Sequence, residues 1–314
     1  METVLITGGT GMIGSRLSRL LLDRGYSIII LSRGTHKGHP HLRYASWNID
    51  TRIIDADAIA SADHIIHLAG AGVAEKRWTE KRKREIVSSR TESSRLLVKA
   101  LREIPNKVRR VVSASAIGWY GPDTAISRSK GFREDDPADH HFLGETCRLW
   151  ENSIIEVEQL GKQLVRLRTG IVLSNNDGAL QEFKKPLKAG IAAILGNGQQ
   201  VVSWIQLDDL CNMYIAAIEN SSMNGVYNAV APQPVTNKML TLELAHEMRD
   251  KFFIPVHVPS FVLKMAMGEM SVEVLKSATV SSAKIIATGF RFLYPDIRSA
   301  LKASLLSSKS SSPL

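Results

Sequence analysis

Val4-Leu5-Ile6-Thr7-Gly8-Gly9-Thr10-Gly11-Met12-Ile13-Gly14 decides how the rest of this chain is read. Three β-favouring apolar residues run straight into a glycine cluster. Ile13, Leu17, Leu20 and Leu21 then recur at the three- and four-residue spacing of a helix. Strand, tight turn and helix in that order open a βαβ unit that binds dinucleotides. Gly9, Gly11 and Gly14 fit G-x-G-x-x-G, and Gly8, Gly11 and Gly14 fit a second reading with glycine at every third position. In either reading one glycine permits the sharp turn, one lets backbone approach a pyrophosphate and one lets helix pack close on strand. The helix N-terminus presents free N–H groups and a partial positive charge to the phosphates. Gly8, Gly11, Met12, Ile13 and Gly14 are therefore candidate cofactor residues.

Outward from this loop, the first helix ends at Arg24-Gly25, and Tyr26 to Leu31 is the near-continuous apolar run of a central parallel strand. The residues after that strand choose the cofactor. An acid there would bind the ribose 2′-hydroxyl of NAD, but the chain has Ser32-Arg33, with Lys37 close by. A guanidinium suits the 2′-phosphate of NADP by charge and by its planar donor fork, so the expected cofactor is NADP(H).

Further strands are expected at Leu42 to Trp47, His64 to His67, Val108 to Ser113, Gln163 to Leu173 and Gly225 to Val230. Helices are expected at Asp50 to Ala60 (weakly), Trp78 to Arg102, Phe142 to Leu160, Gly178 to Ala189 and Pro234 to Asp250. One more, capped by Asp208-Asp209, should run through Ile218. Ala125 to Ala138 is polar and reads as a mobile loop. Leu68-Ala69-Gly70 follows a strand where doubly wound folds bind their ligands, and Ser113 to Gly121 ends another strand in hydroxyls and small residues over the same crevice. His67 reads as a packed strand histidine, and Glu85 and Arg90 as helix charges five residues apart.

The bulk numbers set limits. With 314 residues, 44% hydrophobic and 23% charged, the chain is an ordinary globular protein large enough for a substantial core. It has no apolar run of about 18 residues and no signal-like N-terminus, so no membrane segment or secretion is expected. Cys147 and Cys211 fall in helical patterns and read as reduced thiols, which points to a cytoplasmic setting. No metal-ligand spacing stands out among the scattered histidines. The net charge of +9 is spread along the chain except at Lys76–Arg84 and Lys184–Lys188, with no interleaved aromatics, which argues against nucleic acid.

Taken together, these motifs resemble the extended short-chain dehydrogenase/reductases, and within them the atypical branch of epimerase family, sugar-nucleotide epimerase-like proteins. The resembling pieces include Thr7 to Gly14, Leu31-Ser32-Arg33, Leu68-Ala69-Gly70, Glu85 through Arg90, Ser113 to Gly118, Arg168 to Leu173 and Trp204 to Leu210. The resemblance implies an α/β fold, a Rossmann-type doubly wound parallel sheet with a smaller C-terminal substrate domain. It divides the chain into an NADP-binding domain at 1–173 and a mixed C-terminal region at 174–305, with a branch-specific module at 254–301; the serine-rich end, 306–314, reads by composition as a disordered tail. It also implies NADP(H) contacts at Ser32, Arg33, Leu68, Ala69, Gly70, Glu85, Arg90 and Leu173. The implied activity is oxidoreductase or epimerase chemistry on a small molecule, a nucleotide sugar being one candidate, by a monomer or homodimer.

One part of that chemistry is missing. The superfamily uses a serine with a Tyr-x-x-x-Lys pair, whose tyrosine transfers the proton while nicotinamide exchanges hydride. None of the six tyrosines has lysine four residues on. Counting back from Trp150-Glu151, the pair falls on Leu143 and Cys147. Ser115 matches the serine and stands alone as the catalytic candidate. The alternative function is a catalytically silent NADP(H)-binding sensor or interaction protein.

Overall fold

The computed structural model describes residues 1–34, 38–175 and 177–306. Lys37 and the expected tail after 306 lie outside the described residues. Seven parallel strands form the frame: β1 (Thr3–Thr7), β2 (Ser27–Ser32), β3 (Leu42–Asn48), β5 (His64–His67), β6 (Arg110–Ala116), β7 (Gln163–Thr169) and the strand Gly225–Ala229. β4 (Ile53–Ile54) adds an antiparallel edge beside β3. The chain runs outward from β1 to β2 and β3, then crosses back to place β5 on the other side of β1. That reversal beside β1 is the topological switch point, where a doubly wound sheet opens its ligand crevice. Thr7 is in register with Leu31 on one side and His67 on the other, and His67 with Ser113, so these strand ends form one rim.

The alternation of β1 sorts the core. Val4 and Ile6 face Leu17 and Leu21 of α1 (Met12–Asp23) and Leu210 and Tyr214 of the helix Leu207–Glu219. Leu5 faces the opposite layer, with Leu97 and Leu101 of α3 (Glu80–Glu103) and Ile154 of α5 (Phe142–Ile154). Apolar burial on both sheet faces explains why these strands read as continuous hydrophobic runs. α1 ends as expected, with Gly25 at φ +81°.

Four expectations change. Gln163 to Leu173 is not one strand: β7 ends at Thr169, and Ile171–Leu173 pairs with Trp204–Gln206 in a separate sheet. Asp50 to Ala60 is a turn, the short β4 and then α2 (Ala56–Ser61), capped by Asp55, whose side chain accepts from the Ala58 amide. The helix Leu207–Glu219 is capped by Gln206, not by the two aspartates; its side-chain oxygen accepts from the amides of Asp208 and Asp209. Ala125 to Ala138 is ordered. α4 (Ala125–Lys130) starts with a reciprocal cap between Thr124 and Ser127, and the Phe132 amide donates to the Thr279 carbonyl at 2.7 Å. This segment has no helical apolar stripe because long-range polar bonds hold it. Asp123 accepts from Ser277 Oγ, Thr279 N and Thr279 Oγ1, each at 2.8 Å.

Beyond Leu173 the chain builds a separate apolar cluster, including Leu173, Leu180, Trp204, Leu240, Leu244, Ile297 and Leu301. Helix Leu207–Glu219 and strand Gly225–Ala229 then return to the main sheet, so the sheet draws on residues from both sides of Leu173. Among the described residues, no helix is long and apolar enough to cross a membrane.

Candidate dinucleotide crevice

The glycine loop is closed on one side and open on the other. A Cβ on Gly14 would lie 2.4 Å from the Gly8 carbonyl oxygen and 2.5 Å from Gly9 Cα, so only glycine lets α1 come this close to β1. A Cβ on Gly9 would lie 2.7 Å from the Ile30 side chain. Gly8 is at φ +68° and would press on the Leu68 carbonyl at 3.0 Å. Gly11 is different: a Cβ there would meet only the Gly8 carbonyl oxygen, at 3.4 Å. Gly11 is also the N-cap of α1, with no side-chain cap and no acid in the first turn. The helix therefore leaves its N–H groups and its positive end facing open space at Met12 and Ile13. Arg16 ties α1 to Asp208 at 2.6 Å, and Cys211 Sγ reaches the Ile13 carbonyl, fixing the helix that carries this terminus.

At the end of β2, the Ser32 hydroxyl accepts from the Gly34 amide at 3.2 Å, and Arg33 is exposed. On the other side of β1, Thr7 orders the second half of the crevice. Its Oγ1 accepts the amides of Leu68 (3.1 Å) and Ala69 (3.2 Å) and lies 2.7 Å from His67 Nδ1. With both amides donating to it, the hydroxyl gives its own proton to Nδ1, and this places the imidazole proton on Nε2. Nε2 then donates to Ser94 Oγ of α3 at 3.1 Å, and Ser94 passes its proton to the Arg90 carbonyl. Complete burial pushes His67 down to about 3, so the ring is neutral.

α3 grips the turn after β5 from above. The Ala71 amide donates to Ser89 Oγ at 3.0 Å, and Arg90 donates to the carbonyls of Ala71 (3.0 Å) and Ile86 (2.9 Å). Arg90 is buried, lies flush against Gly70 and stacks on Trp150 with its guanidinium 4.9 Å from the ring centre. It has no carboxylate partner among the described residues, and burial lowers its affinity for the proton. The Trp150 Nε1–H, also buried, has no hydrogen-bond partner there either. Glu85 sits apart from Arg90 on the exposed side. Its carboxylate bonds Arg82 at 2.8 Å, which also holds Glu75, and that pairing lowers its proton affinity. Leu173 is fully buried in the C-terminal cluster, and its carbonyl accepts from Ser304.

The far end of the crevice lacks a titrating pair. Leu143 and Cys147 of α5 stand beside Gly118, where an added Cβ would lie 3.2 Å from Leu143 Cβ and 3.7 Å from Cys147 Sγ. Burial pushes the Cys147 thiol up to about 12, and the sulfur is directed to the Ala116 carbonyl, so it is no thiolate at neutral pH. Cys147 and Cys211 are both free and buried. Ser115 Oγ donates to Glu151 at 2.7 Å. Glu151 also receives Arg168 Nε at 2.8 Å and Nη2 at 3.1 Å, all at 3% exposure or less. Arg168 goes on to Tyr120 Oη and the Glu134 carbonyl, both at 3.0 Å, and lies over Trp119 at 3.6 Å. The Tyr120 hydroxyl is bonded to Asn228, and burial raises it to about 12. Sequence reasoning missed the Glu151–Arg168 pair. The one available signal was two arginines, Arg166 and Arg168, alternating with apolar residues in a parallel strand, which calls for a neighbouring acid; Arg166 too lies 3.9 Å from Glu151.

A family model described as "NAD dependent epimerase/dehydratase family" matches residues 4–229, and one described as "Domain of unknown function (DUF1731)" matches 258–304. Epimerase family protein SSP1921 of Staphylococcus saprophyticus is 36% identical over 308 residues, covering 96% of this chain and 99% of that protein. The crystal structure of human epimerase family protein SDR39U1 (isoform 2) with NADPH is 28% identical, with a TM-score of 0.84 over 97% of this chain and 99% of that one. A nucleoside-diphosphate sugar epimerase from Corynebacterium glutamicum is also 28% identical, with a TM-score of 0.74 over 97% of this chain and 58% of that one. The glycine-loop crevice lies within the matched span, and this chain belongs to the NAD dependent epimerase/dehydratase family.

Proposed function

We propose that this chain binds NADP(H) across the rim formed by Thr7, Leu31 and His67, and exchanges hydride with an alcohol or carbonyl carbon of a nucleotide-sugar-type substrate. The observation that carries the reading is the uncapped N-terminus of α1 beside Gly11, the one loop glycine at which a Cβ would make no close contact. Met12 and Ile13 would give amides to the pyrophosphate, with Gly8 and Gly14 setting the turn. Ser32 and Arg33 would take the 2′-phosphate, a role supported by the lack of any acid at the end of β2. Leu68, Ala69 and Gly70 would line the adenosine path. Glu85 and Arg90 would flank it from α3, and Leu173 would contribute backbone only, because its side chain is enclosed. The human relative solved with NADPH supports the choice of nucleotide, and the Corynebacterium relative supports the substrate class.

When bound, nicotinamide supplies the hydride chemistry; the residues here orient the substrate. Because its proton goes to Glu151, Ser115 is left with acceptor capacity only. It suits a substrate hydroxyl better than a carbonyl oxygen, so it would orient the alcohol form of the substrate, whose hydroxyl proton would leave to water when hydride is withdrawn. Reduced-nicotinamide absorbance, followed with NADP+ and a panel of nucleotide sugars, tests the reaction. Turnover with at least one is expected, and tight NADPH binding with no turnover on any would contradict the catalytic half of the proposal.

A further inference from the structure

We propose that Asp139, His140 and His141 form a zinc site at the entrance to α5. Asp139 Oδ1 lies 3.1 Å from His141 Nδ1 and 3.7 Å from His140 Nδ1. One donor atom from each residue falls within 4.8 Å of the others. Two ligands on a tetrahedral Zn2+ are separated by about 3.3 Å, given bond lengths of about 2.0–2.2 Å. The two carboxylate–imidazole distances bracket that value. Only the gap between the imidazoles needs to narrow; the rings already pack together at 4.3 Å, and their side chains are 88% and 64% exposed.

The carboxylate is the fixed member. Its side chain is 9% exposed, and the Asp139 amide donates to the Trp119 carbonyl at 2.7 Å. Gly144 and Gly121 permit this placement: a Cβ on the first would lie 2.1 Å from the Asp139 carbonyl oxygen, and on the second 3.1 Å from Oδ1. The carboxylate also takes the His141 backbone amide, and its ion pairs among the described residues are with these two histidines. The nearby Lys276 is held by Glu273 at 2.6 Å and the Tyr120 carbonyl at 3.0 Å. Two imidazoles and one carboxylate with open positions form the donor set of Zn2+ rather than of Mg2+ or Ca2+. The positive end of α5 and the Lys276 charge both oppose a dication, so the affinity is expected to be micromolar. Occupancy would fix the two exposed rings at the entrance to α5, next to Phe142 and Leu143.

The test uses the full chain without an affinity tag, titrated with ZnCl2 against a chromophoric chelator. One saturable site is expected, with no matching response to MgCl2. His141→Ala and Asp139→Asn should each weaken zinc at least tenfold, and His140→Ala severalfold, while His246→Ala and His257→Ala change nothing. Both histidine rings are exposed, so His140→Ala and His141→Ala should melt like the parent without metal. The absence of a saturable site, or a site that survives in the His140→Ala, His141→Ala double variant, would overturn the assignment.

Discussion

Arg168 is 2% exposed and owes its place in the sheet to Glu151, which accepts two of its N–H groups. Removing one partner of such a pair leaves a buried charge unanswered and costs roughly 3–5 kcal/mol, whereas replacing both with apolar groups costs far less. Glu151→Gln should therefore lose about that much in urea denaturation, and Glu151→Leu with Arg168→Met should recover most of it. A single-variant loss below about 1 kcal/mol would show that the pair does not hold α5 to β7. Arg33 is tested by ligand rather than by stability. Losing a charge-assisted contact to a phosphate costs about 1.5–3 kcal/mol, or roughly ten- to hundredfold in affinity. Arg33→Ala should weaken NADPH by that factor and NADH hardly at all. Equal losses for both would remove the 2′-phosphate from Arg33.

At the scale of the element, the β1–loop–α1 unit separates packing from binding. Gly14 is closed to any side chain, so Gly14→Val should drive α1 off β1 and lower Tm by many degrees. Gly11 is open in the free protein, so Gly11→Val should melt close to the parent yet lose NADPH. Loss of stability at Gly11 equal to that at Gly14 would contradict the division. This unit was legible because its signals are local: apolar period, glycine spacing and a C-terminal glycine all fall within 25 residues. The strands of the parallel sheet were legible for a related reason, as burial on both faces leaves continuous apolar runs. Other features depend on partners far along the chain. α4 and Phe132 are held by Ser277 to Ser281, about 150 residues away, so their polar sequence looked like a loop. Arg90 looked like any helix arginine, because its burial depends on the turn after β5 and on Trp150. Gln206 capped its helix where two aspartates carried the usual signal. Asp208 turns instead to Arg16 of α1, and Asp209 to the amides of Leu293 and Tyr294. These adjacent acids join the nucleotide helix and the C-terminal segment to one helix, a link that no short-range pattern shows.

Across the whole molecule, His67 couples pH to stability. Its ordinary value of 6.5 applies to the unfolded chain, and burial lowers it to about 3 in the folded one. Between those values the unfolded state binds the extra proton, so this contribution is intact above 6.5 and lost progressively as pH falls below it. The loss should be roughly 2 kcal/mol by pH 5. Urea midpoints of the parent and His67→Asn measured between pH 8 and pH 5 check this. The parent should fall more steeply, and parallel slopes would mean that His67 is not the group involved. In the folded chain His67 stays neutral across this range, so the Thr7–His67–Ser94 bonds at the crevice rim persist while global stability falls.

Every assignment at the crevice presupposes that a 2′-phosphorylated dinucleotide binds there. Calorimetric titration of the purified full-length chain with NADPH and, separately, with NADH measures this directly. The account predicts one saturable NADPH site per chain, with NADH at least tenfold weaker. No heat of binding from either nucleotide at millimolar concentration, or equal affinity for both, would contradict it.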